Sequence, residues 1–287
     1  REQLKKEGKI TYFGGKQELI KRGYFDDIDI SMMFHASDLG EDKALVGPES
    51  NGFVGKKVKF IGKESHAGSA PHDGINALNA AMLAINNVNA LRETFKESER
   101  VRFHPIITKG GDIVNVVPAD VHMESYVRAR TINGMIDANE RINKALMAGG
   151  MAVGADVEIT EIPGYLPILR YKSLDNLFKN NLEDLGLKGK VIDGGDFTGS
   201  FDFGDVSHIM PTLHPMIGGV KGALHTRDFE IVDEDLAYII PAKAMALTVV
   251  DLLFDNAKDA KDILDTFTPV MTKEEYLTFL EKHDKTL

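Results

Sequence analysis

Of the 287 residues, 43% are hydrophobic and 27% charged, a balance that supports a folded core and excludes an intrinsically disordered chain. Lys and Arg number 34 against 44 Asp and Glu, and the resulting net charge of −10 excludes nucleic acid as the main partner, because a phosphate backbone requires clustered positive charge. There is no cysteine, so disulfides, thiolate ligands and a cysteine nucleophile are excluded, and any metal must be held by His and carboxylate.

The chain opens Arg1-Glu2-Gln3-Leu4 with neither an initiator Met nor a signal-peptide pattern, which reads as a start inside a longer, cytoplasmic protein. Residues 9–13 are predicted as a strand, 16–22 as a helix and 28–32 as a second strand in which Ile28, Ile30 and Met32 alternate with Asp29 and Ser31. Strand, helix, strand is a parallel crossover unit; it ends at His35, and open α/β sheets place their chemistry at the carboxyl ends of such strands. A turn-rich stretch, Gly47-Pro48-Glu49-Ser50-Asn51-Gly52, marks a boundary.

The next segment reads as one module. A strand over 54–61 leads to a helix whose stripe is Leu78, Ala81, Met82, Ile85 and Val88. A strand over 101–109 follows, placed at a sheet edge by Pro105, then one over 121–127, a helix over 132–148 stopped by Gly149-Gly150, and a strand over 155–159. This β-α-β-β-α-β order is the ferredoxin-like arrangement. From Pro163 onward the pattern returns to mixed α/β, with helices over 173–185 and 234–254 and a Thr272-x-x-Glu275 capping box before a last helix. The predicted architecture is a discontinuous α/β domain, residues 1–52 and 165–287, with a ferredoxin-like domain over 53–164 inserted in it. The longest apolar runs, such as 245–250, fall short of the roughly 20 residues a membrane span needs, so no membrane association is expected.

Among nine histidines, His35 ends a strand and His225 lies in a loop before the last long helix, so both can face one sheet edge. They are either a pair of imidazole metal ligands from distant parts of the chain or two loop histidines with structural hydrogen bonds. His66 leaves the module's first strand, where it either donates to a developing oxyanion or serves as a helix-start residue. Asn115 occupies the turn between the middle strands, and Arg128 ends a strand where it either grips a carboxylate or is only solvated. Asp196, Asp202 and Asp205 lie in a glycine-rich run read mainly as a loop shaping a pocket. His104, His122, His208, His214 and His283 show no partner spacing and are read as structural. No Gly-x-Ser-x-Gly elbow, His-Glu-x-x-His helix or Walker loop is present.

Two stretches are distinctive: Ser65-His66-Ala67-Gly68-Ser69-Ala70-Pro71-His72-Asp73-Gly74-Ile75-Asn76-Ala77 and Gly110-Gly111-Asp112-Ile113-Val114-Asn115-Val116-Val117-Pro118-Ala119. With Gly23-Tyr24-Phe25-Asp26-Asp27 and Leu224-His225-Thr226, they resemble the M20 metallopeptidase and amidohydrolase family, on the branch of aminoacylase-like, hippurate and aminobenzoyl-glutamate hydrolases. The run from Gly199 to Ser207 is similar to the aminobenzoyl-glutamate side of that branch.

The resemblance implies an α/β metallohydrolase domain with two divalent metals per subunit (zinc, or manganese, cobalt or nickel), and an inserted ferredoxin-like lid that also forms a homodimer. It implies that His35 and His225 are metal ligands, His66 the oxyanion stabiliser, and Asn115 and Arg128 substrate-binding residues. The implied substrate is an N-acyl or N-aroyl amino acid or a short peptide, cleaved at its amide bond.

Two departures stand out. The family's N-terminal metal motif would precede Arg1, and its paired glutamates would follow Tyr12-Phe13-Gly14, where Gly14-Gly15-Lys16 runs straight on. The nearest carboxylate, Glu18, lies inside the predicted helix and does not substitute. The alternatives are a catalytically inactive dimeric binding protein of the same fold, and a ferredoxin-like regulatory domain on an α/β scaffold that binds an effector and no metal.

Overall fold

Period-two alternation organises the ferredoxin-like unit: β1 (Gly52–Ile61), α1 (Ala77–Leu91), β2 (Arg102–Lys109), β3 (Asp120–Ala129), α2 (Ile132–Met151) and β4 (Asp156–Pro163) follow one another in a computed structural model that describes residues 1–287. The strands form one antiparallel sheet in the order β4-β1-β3-β2, which leaves the Pro105-bearing β2 at an edge. Val58, Phe60, Val121, Met123, Val127 and Ile159 project from one face of the sheet into the core shared with both helices. A side chain of Asn76 accepts from the Leu78 and Asn79 amides and starts α1.

The helices meet differently from expectation. The buried stripe of α1 is Ala77, Ala80, Ala81, Ala84 and Val88, and Met82 is exposed. An alanine row lets the helices come close: a Cβ added at Gly149 would lie 2.5 Å from Ala84 Cα. Gly149 and Gly150 therefore do not stop α2, which runs through them to Met151. They are the places where it touches α1 and the sheet.

The chain divides into two units, Arg1–Ser50 with Ile168–Tyr276, and Asn51–Pro167 with Leu277–Leu287. The C-terminal residues, which the sequence reading assigned to the α/β segment, group with the ferredoxin-like unit because β5 (Lys285–Thr286) pairs antiparallel with β4.

The other unit is mixed α/β. His35–Ala36, Met216–Ile217, Ala44–Val46 and Val191–Asp193 lie side by side in one four-stranded sheet, and Ser31–Met32 pairs in parallel with Thr212–Leu213. Helix Lys172–Leu182 and the long helix beginning at Asp235 pack Leu174, Phe178, Leu182, Leu236, Ala244 and Leu252 against Ala44, Val46, Leu213 and Ile217. Residues 9–13 form no strand: the Thr11 and Tyr12 amides donate to the Glu18 carboxylate at 2.8 and 3.1 Å, so a side chain takes the place of a neighbouring strand.

The helical stretch Asp235–Thr266 is, by length and composition, long and apolar enough to cross a membrane, with an 18-residue window of mean hydropathy 1.7, contrary to the reading from uninterrupted runs. Its backbone breaks at Phe254–Ala257, and one face belongs to the core just described; a buried helix of a soluble protein meets the same criteria.

Candidate functional site

In the α/β unit, His35 follows the parallel pairing of Ser31–Met32 with Thr212–Leu213, and that register brings it beside His214. The two imidazoles share a hydrogen bond of 2.6 Å between His35 Nδ1 and His214 Nε2. Phe201 packs against both, its ring centroid 4.9 Å from that of His35 and 4.4 Å from that of His214. The next residue, Asp202, pairs with Lys16 Nζ at 3.1 Å. Burial, then the charges of His35 and Lys16, push His214 down to about 3; burial and Lys16 also lower His35, against the opposing pull of Asp202. Both rings are neutral at neutral pH.

His225 sits in the loop closed by the antiparallel pair Val220–Lys221 and Glu230–Ile231, in the left-handed conformation at φ +64°. Asp38, three residues after His35, accepts from the Gly222 amide at 3.0 Å and so ties this loop to the end of the His35 strand. No group of three or more His, Asp or Glu side chains converges to hold a metal. The neighbouring acids are otherwise engaged: Asp202 with Lys16, and the buried Asp205 with Tyr276 Oη at 2.7 Å and Gln17 Nε2 at 3.4 Å. His214 is the residue that sequence reasoning missed. Its one signal is a pairing across the chain, which no local spacing reveals.

In the ferredoxin-like unit, the loop after β1 and the turn before β3 are knitted together: His66 bridges Val116, the Ala67 amide donates to the Asn115 carbonyl at 3.0 Å, and Val117 donates to Ser65. This brings His66 and Asn115 side by side, both exposed. His66 Nδ1 accepts from the Gly68 and Ser69 amides at 3.2 and 3.1 Å. An imidazole nitrogen that accepts carries no proton, so the ring is the Nε2–H tautomer and presents a donor.

Arg128 lies elsewhere. It pairs in register with Phe53 near the start of β1, and its guanidinium is 5.3 Å from the Phe53 and Tyr126 ring centroids. Burial lowers its pKa, which leaves an arginine fully charged at neutral pH. The turn bearing Asn115 precedes Asp120, at the other end of β3. At about 3.4 Å per residue, eight residues of strand separate Arg128 from that end by about 27 Å. The structure brings His66 to Asn115 and does not bring Arg128 to either within one copy of the chain.

A profile of the peptidase dimerisation domain of M20 proteins matches residues 49–150. The chain is 33% identical over 254 residues to the Xaa-Arg dipeptidase of Mus musculus, covering 85% of this chain and 57% of that protein. It is 32% identical to the Xaa-Arg dipeptidase of Homo sapiens, covering 93% and 62%. The chain belongs to the M20 family.

It thus spans about three fifths of the length of these M20 relatives. The fold agrees with a solved M20 structure, the YXEP protein of Bacillus subtilis, described as a dinuclear metal-binding peptidase, at a TM-score of 0.60 and 16% identity over 83% of this chain and 61% of that one. In this M20 chain the donor set suits a divalent ion in kind but not in number. His35 Nδ1 is engaged by His214, His225 is a second imidazole in the same unit, and no three such side chains converge on one point.

Proposed function

We propose that this chain supplies the substrate-gripping lid and two metal-ligand imidazoles of an amidohydrolase that cleaves N-acyl or N-aroyl amino acids or short peptides. The observation that carries the reading is the His66 tautomer. Two backbone amides fix Nδ1 as an acceptor, so Nε2–H is aimed outward as a donor beside Asn115. That is what a carbonyl oxygen acquiring negative charge requires, and preorganisation by the backbone removes the cost of orienting the ring during reaction.

His35 and His225 would hold the divalent ion together with further donors. The ion, zinc or manganese, cobalt or nickel, and two per subunit in the complete site, would polarise the scissile carbonyl and make water acidic enough to attack near neutral pH. The general base is not found around the Gly14–Gly15 junction. Glu18, the nearest carboxylate, is occupied by the Thr11 and Tyr12 amides and by Arg22 at 2.8 Å. Arg128, charged and stacked, suits the substrate's free carboxylate.

The two ends of β3 then bear on oligomeric state. An acyl amino acid is much shorter than about 27 Å, so His66 and Asn115 can serve the same molecule as Arg128 only if they come from different copies. We therefore propose a homodimer with composite sites.

Two experiments test the proposal. Metal analysis with hydrolysis of a panel of N-acyl and N-aminobenzoyl amino acids, on the full-length gene product, should give about two divalent ions per chain and amide cleavage. Mixing inactive His66→Ala and Arg128→Ala proteins should restore about a quarter of wild-type activity, since half of the dimers are mixed and each has one intact site. No recovery on mixing would refute the composite site. The absence of a three-donor cluster favours one second reading, a dimeric M20 binding protein without hydrolysis, which predicts acid binding with neither metal nor turnover.

A further inference from the structure

Alternation sends Val54, Val58, Phe103, Met123 and Val127 into the core, so the residues between them form the opposite, open face of the ferredoxin-like sheet. Strand register arranges that face in rows. Arg102, Arg128 and Phe53 stand side by side on β2, β3 and β1, and one row along His104, Tyr126, Gly55 and Ile162 do the same. These two rows hold two arginines and no carboxylate; the next row brings Glu124, in register with Lys57. Arginines directly opposite one another repel, and in a protein of net charge −10 they make this end of the sheet a local reversal of sign that favours an anion.

The rings give the face its second property. Gly55 has no side chain, and the Tyr126 ring lies across β1 with its centroid 4.6 Å from that of Phe53, which Tyr165 meets edge-on at 5.0 Å. The Arg128 guanidinium is 5.3 Å from both the Phe53 and the Tyr126 centroid, a packing that limits its rotation, and a planar fork held in one orientation suits a bidentate carboxylate. Tyr126 still has 44% of its surface exposed, His104 approaches it edge-on at 6.3 Å, and Ile106, one row further, is 61% exposed. A cationic row is thus followed by an aromatic and apolar one.

We infer that this face takes the amino-acid half of the substrate and selects an aromatic or large apolar side chain, with the free carboxylate on Arg128 and the side chain against Tyr126 and His104. The inference rests on the proposed reading of Arg128 as the carboxylate residue. Two residues of strand set the rows about 7 Å apart, a span that a ring-bearing side chain can cover from its own carboxylate and a methyl group cannot. An acidic side chain would meet no arginine or lysine in the second row, and a basic one would lie beside the arginines of the first.

The test uses the 287-residue chain labelled with 15N and 13C, titrated with the N-acetyl derivatives of phenylalanine, alanine, glutamate and arginine, and read by the side-chain resonances of Arg128, Tyr126 and His104. N-acetyl-phenylalanine should bind roughly tenfold tighter than N-acetyl-alanine, and tighter than either charged derivative. Arg128→Gln should weaken the phenylalanine and alanine derivatives alike. Tyr126→Ala should abolish the preference between those two, and Tyr126→Phe should keep it; a merely structural role for the ring would weaken both ligands equally and leave their ratio unchanged.

If no ligand moves the Arg128 resonances, the carboxylate reading and the inference fall together. If they move but the phenylalanine derivative has no advantage, or the advantage survives Tyr126→Ala, the inference alone falls. Should Tyr126→Ala not fold, the wild type decides: absence of magnetisation transfer between the ligand ring protons and Tyr126 overturns the inference. Resonances of Tyr126 and His104 that shift on dilution without ligand would mean that a second copy covers this face, which overturns it too.

Discussion

Lys56 is the least expected residue in the core of the ferredoxin-like unit, and its replacement by Met should be costly. It lies on the inward face of β1 between Val54 and Val58, with its side chain fully buried, and pairs in register with Glu161 on β4. Glu161 Oε1 accepts from Lys56 Nζ at 3.1 Å, Asn139 Nδ2 at 2.5 Å and Asn143 Nδ2 at 2.7 Å. Burial pushes the Glu161 carboxyl up, but the Lys56 charge and the two asparagines outweigh it and hold it low, so the glutamate is ionised in the folded state. Lys56→Met would leave that charge buried with two neutral donors and only the more distant, half-exposed Lys285 ammonium, 3.8 Å from Oε2. The loss should be about 3–5 kcal/mol, of which Lys56→Met with Glu161→Gln together should recover most, since a neutral amide can still accept from Asn139 and Asn143.

Amide hydrogen exchange in β1 and β4 reads the stability of this unit directly. Burial also lowers Lys56 itself to about 8 from its ordinary 10.5, against the attraction of Glu161. The unfolded chain therefore binds more protons than the folded one between about pH 8 and 10.5, and stability should rise with pH across that window in wild type but not in Lys56→Met. A single-mutant cost under about 1 kcal/mol, or a double mutant as damaged as the sum of its parts, would refute the argument.

Three further outcomes are expected. His66→Ala should lower kcat about 10²–10³-fold in a full-length enzyme while leaving bound metal unchanged by mass spectrometry, because the residue donates to the substrate and binds no ion. Gly149→Ala should lower the thermal midpoint by a cost of at least about 1–3 kcal/mol, since the new methyl would meet Ala84 backbone, which cannot move aside as a flexible side chain would. Asn76→Ala should cost about 1 kcal/mol by removing the two-amide cap of α1, with Asn76→Ser retaining most of the stability in chemical denaturation.

Features that depend on local pattern were legible in the sequence. The βαββαβ unit could be read because each strand alternates and each helix repeats within its own residues. The Thr272–Glu275 box forms as written, with reciprocal bonds of 2.8 and 3.1 Å. Residues 9–13 have strand-like composition, yet they fold otherwise because a single carboxylate, Glu18, competes for their amides. In the stripe of α1, Leu78, Ala81, Ile85 and Val88 lie against the core and only Met82 was misplaced: it is a large apolar side chain, but close helix packing selects the alanine face. His214 was illegible for a different reason, since its partner lies 179 residues away and is reached only through strand pairing.

The separation of Arg128 from Asn115 was also legible in the sequence. Asn115 precedes, and Arg128 ends, a segment whose alternation from Val121 to Val127 already reads as one strand. An extended chain cannot bring its two ends to one small carboxylate, because each residue adds about 3.4 Å. The resemblance to M20 enzymes supplies both residues as substrate contacts, and strand geometry forbids them from acting together within one copy. The two statements are compatible only if a site draws on two lids. Under the proposed composite site dimerisation is required for the chemistry, and a monomeric variant with intact lid structure should bind metal yet fail to turn over, which analytical ultracentrifugation coupled to the hydrolysis assay would show.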